Sequence, residues 1–137
     1  MNNNFKKNLV TFDTAYSLAQ YEAGGLRMFQ EGKLLNGYFD TLFVINIASN
    51  INNPDVIGKS KLIKISEHFE YLDVPLGRFR FLAAFKKINF IFSIFSSIIT
   101  VTRLCKKNNV SFIRGEDALV NGLLAMITSK ILGIPLF

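Results

Sequence analysis

The sequence predicts an α/β fold, a parallel sheet covered by helices on both faces and left incomplete at its last strand. Three observations carry that expectation. Short runs dense in Val, Ile and Phe (NLVTF, DTLFVINIA, VSFIR) alternate with longer helical patterns, as strands buried on both faces and joined by crossover helices require. The chain closes on a helix stop, Gly133, followed by Ile134-Pro135, which enforces an extended exit. Half of the 137 residues are hydrophobic, with 14 Phe against 3 Pro, enough for one core at the usual domain size of ~100–150 residues.

Asn8–Phe12 reads as a buried first strand, with Asp13 and Thr14 at its carboxyl end. A loop and the Gly24-Gly25 pair follow, opening a helical pattern of Leu26, Phe29, Leu34 and Leu35 that closes at Asn36-Gly37. Asp40–Ala48 is the second strand, SNINNPD a loop, and Lys61–Ser66 a third strand nearer an edge. Glu67–Gly77, broken by Pro75 and Gly77, reads as a connection of mixed character. From Phe79 to about Lys107 no Pro or Gly occurs, and polar residues from Lys86 through Asn89, Ser93 and Ser97 to Lys107 recur every three or four positions. This is one long helix with a narrow polar stripe and a wide apolar face. Ser111–Arg114 is a fourth strand, Ala118–Leu132 a helix, and Ile134 the entry to a fifth strand. The expected order is β-α-β-β-α-β-α-β with right-handed crossovers.

Charge divides the chain. Up to Gly77 there are 7 Lys/Arg and 8 Asp/Glu, whereas from Arg78 onward there are 9 Lys/Arg and only two acids, Glu116 and Asp117. Such a field suits an anionic membrane surface or a phosphate-bearing ligand. Nucleic acid is set aside, because the basic residues are interleaved with Ile and Phe and no recognition module is present. The long helix has an uncharged run of 15 residues, Ile88–Thr102, short of the ~20 that span a bilayer core. A buried crossover helix is the reading, with an interfacial role open for part of its surface. Cys105 is the only cysteine, so no internal disulfide forms and a reducing compartment is the default. The amino terminus lacks the features of a signal peptide.

Candidate chemistry gathers at the ends of strands. Gly115, Glu116 and Asp117 lie between the fourth strand and its helix, where amides and the helix dipole are unpaired. Asp117 reads first as an N-cap, while Glu116 stands where a ligand hydroxyl could meet it. Gly24 and Gly25 would let a phosphate or sugar approach the backbone, although neither a dinucleotide fingerprint nor a P-loop is present. Arg114 and Arg78 are candidate phosphate contacts. His68, the only histidine, has no second His or Cys at metal-ligand spacing, and reads as a surface or loop residue. No catalytic residue and no metal site is assigned.

The segment FIRGEDALVNGLLAMITSKILGIPLF resembles family 4 glycosyltransferases, in which a strand ends in a basic and acidic loop followed by a Gly-Leu-Leu-rich helix and Leu-Gly-Ile-Pro. Gly24-Gly25 and the Asn36-Gly37 turn into FDTLFVINI are similar to the same proteins' first βαβ unit, and Ala118 departs from their usual Pro. The resemblance implies a GT-B fold of two Rossmann-like domains. Residues 1–137 would be a partial amino-terminal, acceptor-binding domain, cut at its fifth strand, with the donor-binding domain absent and the chain alone inactive. It places Gly24 and Gly25 near the donor diphosphate and acceptor, and Arg114, Glu116 and Asp117 on the acceptor side. No cofactor is implied, since the nucleotide-sugar is a substrate. Its acceptor would be a cell-envelope saccharide or lipid-linked sugar, and its place cytoplasmic, peripheral to the inner face of the membrane. The alternative expectation is a small non-enzymatic membrane-associated protein built on the helix at 79–107. A nucleotide-binding or signalling domain of flavodoxin-like type is disfavoured, because Asp13 stands alone after the first strand.

Overall fold

The computed structural model describes residues 7–23, 37–47 and 59–137. Gly24, Gly25, the helical pattern at 26–35 and the loop at 49–55 lie outside them. The fold is α/β, with a five-stranded sheet in the order β3-β4-β2-β1-β5. Its strands are β1 (Asn8–Phe12), β2 (Thr41–Asn46), β3 (Lys61–Ser66), β4 (Phe69–Asp73) and β5 (Val110–Gly115). Among the described residues the helices are α1 (Leu18–Glu22), α2 (Lys86–Lys107) and α3 (Val120–Leu132), with a 3₁₀ turn at Arg80–Leu82 before α2.

β1, β2, β4 and β5 run parallel, and β3 pairs antiparallel with β4 at the edge. The sheet is therefore mixed rather than wholly parallel. The cause is local: β3 and β4 are joined by Glu67 and His68 alone, and a two-residue connection can only reverse the chain. β4 itself falls inside the segment expected to be a connection.

Alternation along the strands builds one apolar layer on each face. Val10, Phe12, Phe43, Ile45, Leu72 and Val74 meet Ile98, Val101, Leu104 and Cys105 of α2 and Leu124 and Ala125 of α3. On the opposite face Leu9, Leu42, Val44, Phe69 and Tyr71 pack with Tyr21 of α1. Helices thus cover both faces in a Rossmann-like arrangement. α1, read from sequence as loop, begins at a capping box: Ser17 Oγ accepts from Gln20 N, and the Gln20 side chain accepts from Ser17 N at 2.8 Å. α3 ends where expected, on Gly133 at φ 66°. Leu136 then bridges Ile113 in parallel, with Ile113 N donating to Pro135 O at 3.0 Å and Phe137 N to Ile113 O at 2.9 Å. The expected strand entry at Ile134 is thus a single bridge along the outer edge of β5.

The long helix departs most from expectation. Its small polar side is the buried one: Asn89, Ser93 and Ser97 are 4%, 0% and 1% exposed, whereas Phe85, Phe92 and Phe95 are 60%, 54% and 63% exposed. The α2 residues in the sheet-facing core run from Ile98 to Cys105, with Ile94 packed at its margin. At 1.5 Å per residue, the stretch from Ile94 to Lys107 covers ~20 Å, the length of a six-residue strand at ~3.3 Å per residue. The first two turns of α2 therefore overhang the sheet beyond the carboxyl end of β4. Asn89 anchors this overhang, with Nδ2 donating to Gly77 O and Phe79 O at 3.0 Å each and Oδ1 accepting from Phe79 N at 3.2 Å.

Candidate functional site at the β1–β5 crevice

The parallel strands run β4-β2-β1-β5 across the sheet. From β1 the chain moves outward through β2 to β4, then returns by α2 to lay β5 on the other side of β1. That reversal opens a crevice between the carboxyl ends of β1 and β5, where ligands of doubly wound sheets bind.

Polar side chains converge there. Thr11, fully buried in β1, donates through Oγ1 to Glu116 Oε1 at 2.9 Å. Glu116 N donates to Phe12 O at 3.1 Å, carrying the β1–β5 ladder one bond past the strand end. Arg114 Nε lies 3.4 Å from Glu116 Oε1, an ion pair too solvated to add much stability. Asp117 Oδ1 accepts from Leu119 N at 2.9 Å and Asn121 N at 3.3 Å, so it serves the amides entering α3 much as a cap does. The helix begins two residues later than expected, at Val120.

Asn121 completes the group. It is 1% exposed, and its Nδ2 donates to Asp117 Oδ2 and to Thr14 Oγ1, the latter at 3.1 Å. A carboxylate only accepts, so this contact fixes which end of the amide faces Asp117. Among the described residues nothing donates to Asn121 Oδ1. An unmatched buried acceptor is uncommon enough to call for a reason. Asn8 Oδ1, Thr102 Oγ1 and Thr128 Oγ1 share the condition, and Asn121 Oδ1 differs from them in standing beside the carboxyl ends of β1 and β5, where a ligand hydroxyl would reach it on a small opening of the corner. Gly122 lets this corner close, since a Cβ there would meet Asp117 O at 2.5 Å.

The structure thus brings Arg114, Glu116 and Asp117 together and adds Thr11, Thr14 and Asn121, which sequence reading missed. Gly24 and Gly25 lie outside the described residues. No family model and no curated protein matches the sequence. The crevice gathers three acceptor-bearing side chains, Glu116, Asp117 and Asn121, with the hydroxyls of Thr11 and Thr14 and the Arg114 guanidinium beside them.

Other candidates lie elsewhere or are occupied structurally. Asp13 is 2% exposed and turns inward, with Oδ1 accepting from Ala15 N at 2.9 Å and Oδ2 from Tyr21 OH at 3.1 Å. Burial, reinforced by that carboxylate, holds the Tyr21 phenol above its ordinary range. His68 is exposed in the β3–β4 turn at the amino end of β4, with Nδ1 2.8 Å from Asp40 O. Arg78 Nη1 donates to Ser60 Oγ at 2.8 Å, and partial burial lowers its pKa. Cys105 is buried, which pushes its thiol up to about 12 and leaves it inert at neutral pH. Among the described residues no three of His, Cys, Asp and Glu converge to hold a metal ion.

Proposed function

We propose that this chain forms the acceptor-binding domain of a nucleotide-sugar-dependent glycosyltransferase, with the β1–β5 crevice receiving a hydroxyl-bearing saccharide or lipid-linked sugar. The observation that carries this reading is the buried, unmatched Asn121 Oδ1 beside Asp117, Thr14 and Glu116. Acceptor-rich walls bind sugar hydroxyls, which arrive as donors, and they repel bare phosphate. The nucleotide diphosphate would accordingly meet this domain away from Glu116 and Asp117. The strand order and the FIRGEDALVNGLL pattern resembling family 4 glycosyltransferases support the same class. Fold alone does not specify an activity.

The test is an amide NMR titration with simple hexosides and with nucleotide-hexoses. Shifts at Thr14 and across Gly115–Asn121 are expected with hexosides, and Asn121→Leu should abolish them while leaving the remaining spectrum in place. Absence of shifts at those residues with every sugar tried would sink the reading.

A further inference from the structure

We infer that the exposed apolar side of α2, from its overhanging first turns to Ile99, is a docking surface for an anionic lipid surface, with the helix lying in the interface rather than crossing the bilayer. The inference stands on the exposed surface of α2 and needs no sugar chemistry.

Ile88, Phe92, Phe95 and Ile99 follow helical spacing along one side of α2 and are 45%, 54%, 63% and 51% exposed. Ile91, at 52%, widens that strip, while Phe90, at 48%, is exposed on the opposite side of the helix, where the overhang leaves the sheet. At its tip Phe79 stacks edge-on with Phe81 and Phe92, ring centroids 5.7 and 6.5 Å apart, which presents a preformed aromatic cluster with Phe81 77% exposed. A contiguous apolar surface of this kind marks an interaction site.

Charge selects the occupant. Between Asp73 and Glu116 the sequence holds eight Lys or Arg and no acid. Arg80, Lys86 and Lys87 are exposed at the amino end of the apolar strip, and Arg103, Lys106 and Lys107 at its carboxyl end. Aromatic side chains framed by cations match the boundary between acyl chains and anionic headgroups. Length and composition alone would let Lys86–Lys107 cross a membrane. Packing argues against it, because Asn89, Ser93 and Ser97 face the protein and Ile98, Val101, Leu104 and Cys105 form part of the sheet's core. To span, the helix would have to leave the domain.

The experiment is vesicle flotation with the full chain, using phosphatidylglycerol-rich and pure phosphatidylcholine vesicles. The sequence has no Trp, so Phe92→Trp provides a single fluorescent reporter. Co-flotation with the anionic vesicles only and a blue shift of the reporter's emission are expected. Phe92→Glu with Phe95→Glu should lower the bound fraction by about tenfold or more, as should Lys86→Glu with Lys87→Glu. Burial of Cys105 from thiol reagents shows that each variant is folded. Equal binding to both vesicle types, no binding to either, or self-association that buries the reporter in solution would each overturn the inference. Protease protection of Ile88–Thr102 would overturn it in favour of a span. Sugar titration at Asn121 reads the crevice separately, so either proposal can fail alone.

Discussion

Gly115 at the end of β5 and Gly122 in the first turn of α3 meet backbone to backbone: a Cβ on Gly115 would fall 2.7 Å from Gly122 Cα and 2.9 Å from Gly122 N. This closeness folds the loop of Glu116 and Asp117 tightly over the carboxyl end of β1. Glycine inside a helix ordinarily costs ~1 kcal/mol relative to alanine. At Gly122 the sign should reverse, because the new methyl would press on the backbone oxygen of Asp117. We expect Gly122→Ala to destabilise by about 1–3 kcal/mol in urea unfolding, and to displace the Asn121 and Asp117 amide signals.

Asn89 supplies a second prediction. Its side chain makes three hydrogen bonds to Gly77 and Phe79, holding the overhang of α2 to the loop after β4. Asn89→Ala leaves those groups without their partner, and a loss of ~2–3 kcal/mol is expected. Hydrogen exchange should quicken at Phe79 while the β1 and β2 amides keep their protection.

The crevice gives a prediction with a pH signature. Asn121→Asp would set a second carboxylate, fully enclosed, against Asp117. Both burial and like charge raise the folded-state pKa of the new acid above its unfolded value near ~4. Stability is then retained at acid pH and lost as pH rises. The variant should match the parent near pH ~3 and fall about 2–4 kcal/mol below it at neutrality, measured by denaturant titration at both pH values.

Alkaline behaviour follows from Cys105, Tyr21 and Tyr71. Burial raises all three, the thiol to about 12 and both phenols above their ordinary range. Each is neutral in the fold when it would already be ionised in the unfolded chain. Their stabilisation is complete below the unfolded pKa values, ~8.5 for the thiol and ~10 for the phenols, and declines as pH climbs toward the folded ones. Stability should fall from about pH 9 upward, by as much as ~1.4 kcal/mol per pH unit for each titrating group. Disulfide-exchange reagents should label Cys105 at the rate of unfolding. A Cys105→Ser variant with an unchanged slope between about pH 9 and 10 would remove the thiol from this account.

How much of this was legible depended on locality. β1 and β3 were readable to the residue because each is a short run whose pattern is complete in itself. β4 was not: FEYLD carries two acids and is followed by Pro75, and it becomes a strand through pairing with both β2 and β3. The orientation of α2 misled for a related reason. Hydrophobic periodicity assumes that the apolar side is the buried side, whereas Ser93 and Ser97 fit the narrow space against the protein and satisfy their hydroxyls on Asn89 O and Ser93 O within the helix, at 2.7 Å each. In the crevice, Asp117 was legible as a capping acid. Thr11, Thr14 and Asn121 were hidden, since Thr11–Glu116 and Thr14–Asn121 join residues 105 and 107 positions apart. Thr11 inside NLVTF and Asn121 inside an apolar helix were the available signals, polar groups in elements otherwise buried.

The pairing of Asn8 with Val110 joins residues 102 positions apart. Loop-closure entropy must be met before so distant a contact is rewarded, which makes such pairings late and slow. β1, β2 and β4 can assemble with the hairpin partner β3 while β5 is still unattached. Every crevice contact from Glu116, Asp117 or Asn121 waits for β5 to reach β1. The candidate site is accordingly expected to form last during folding, and to vanish first when β5 detaches.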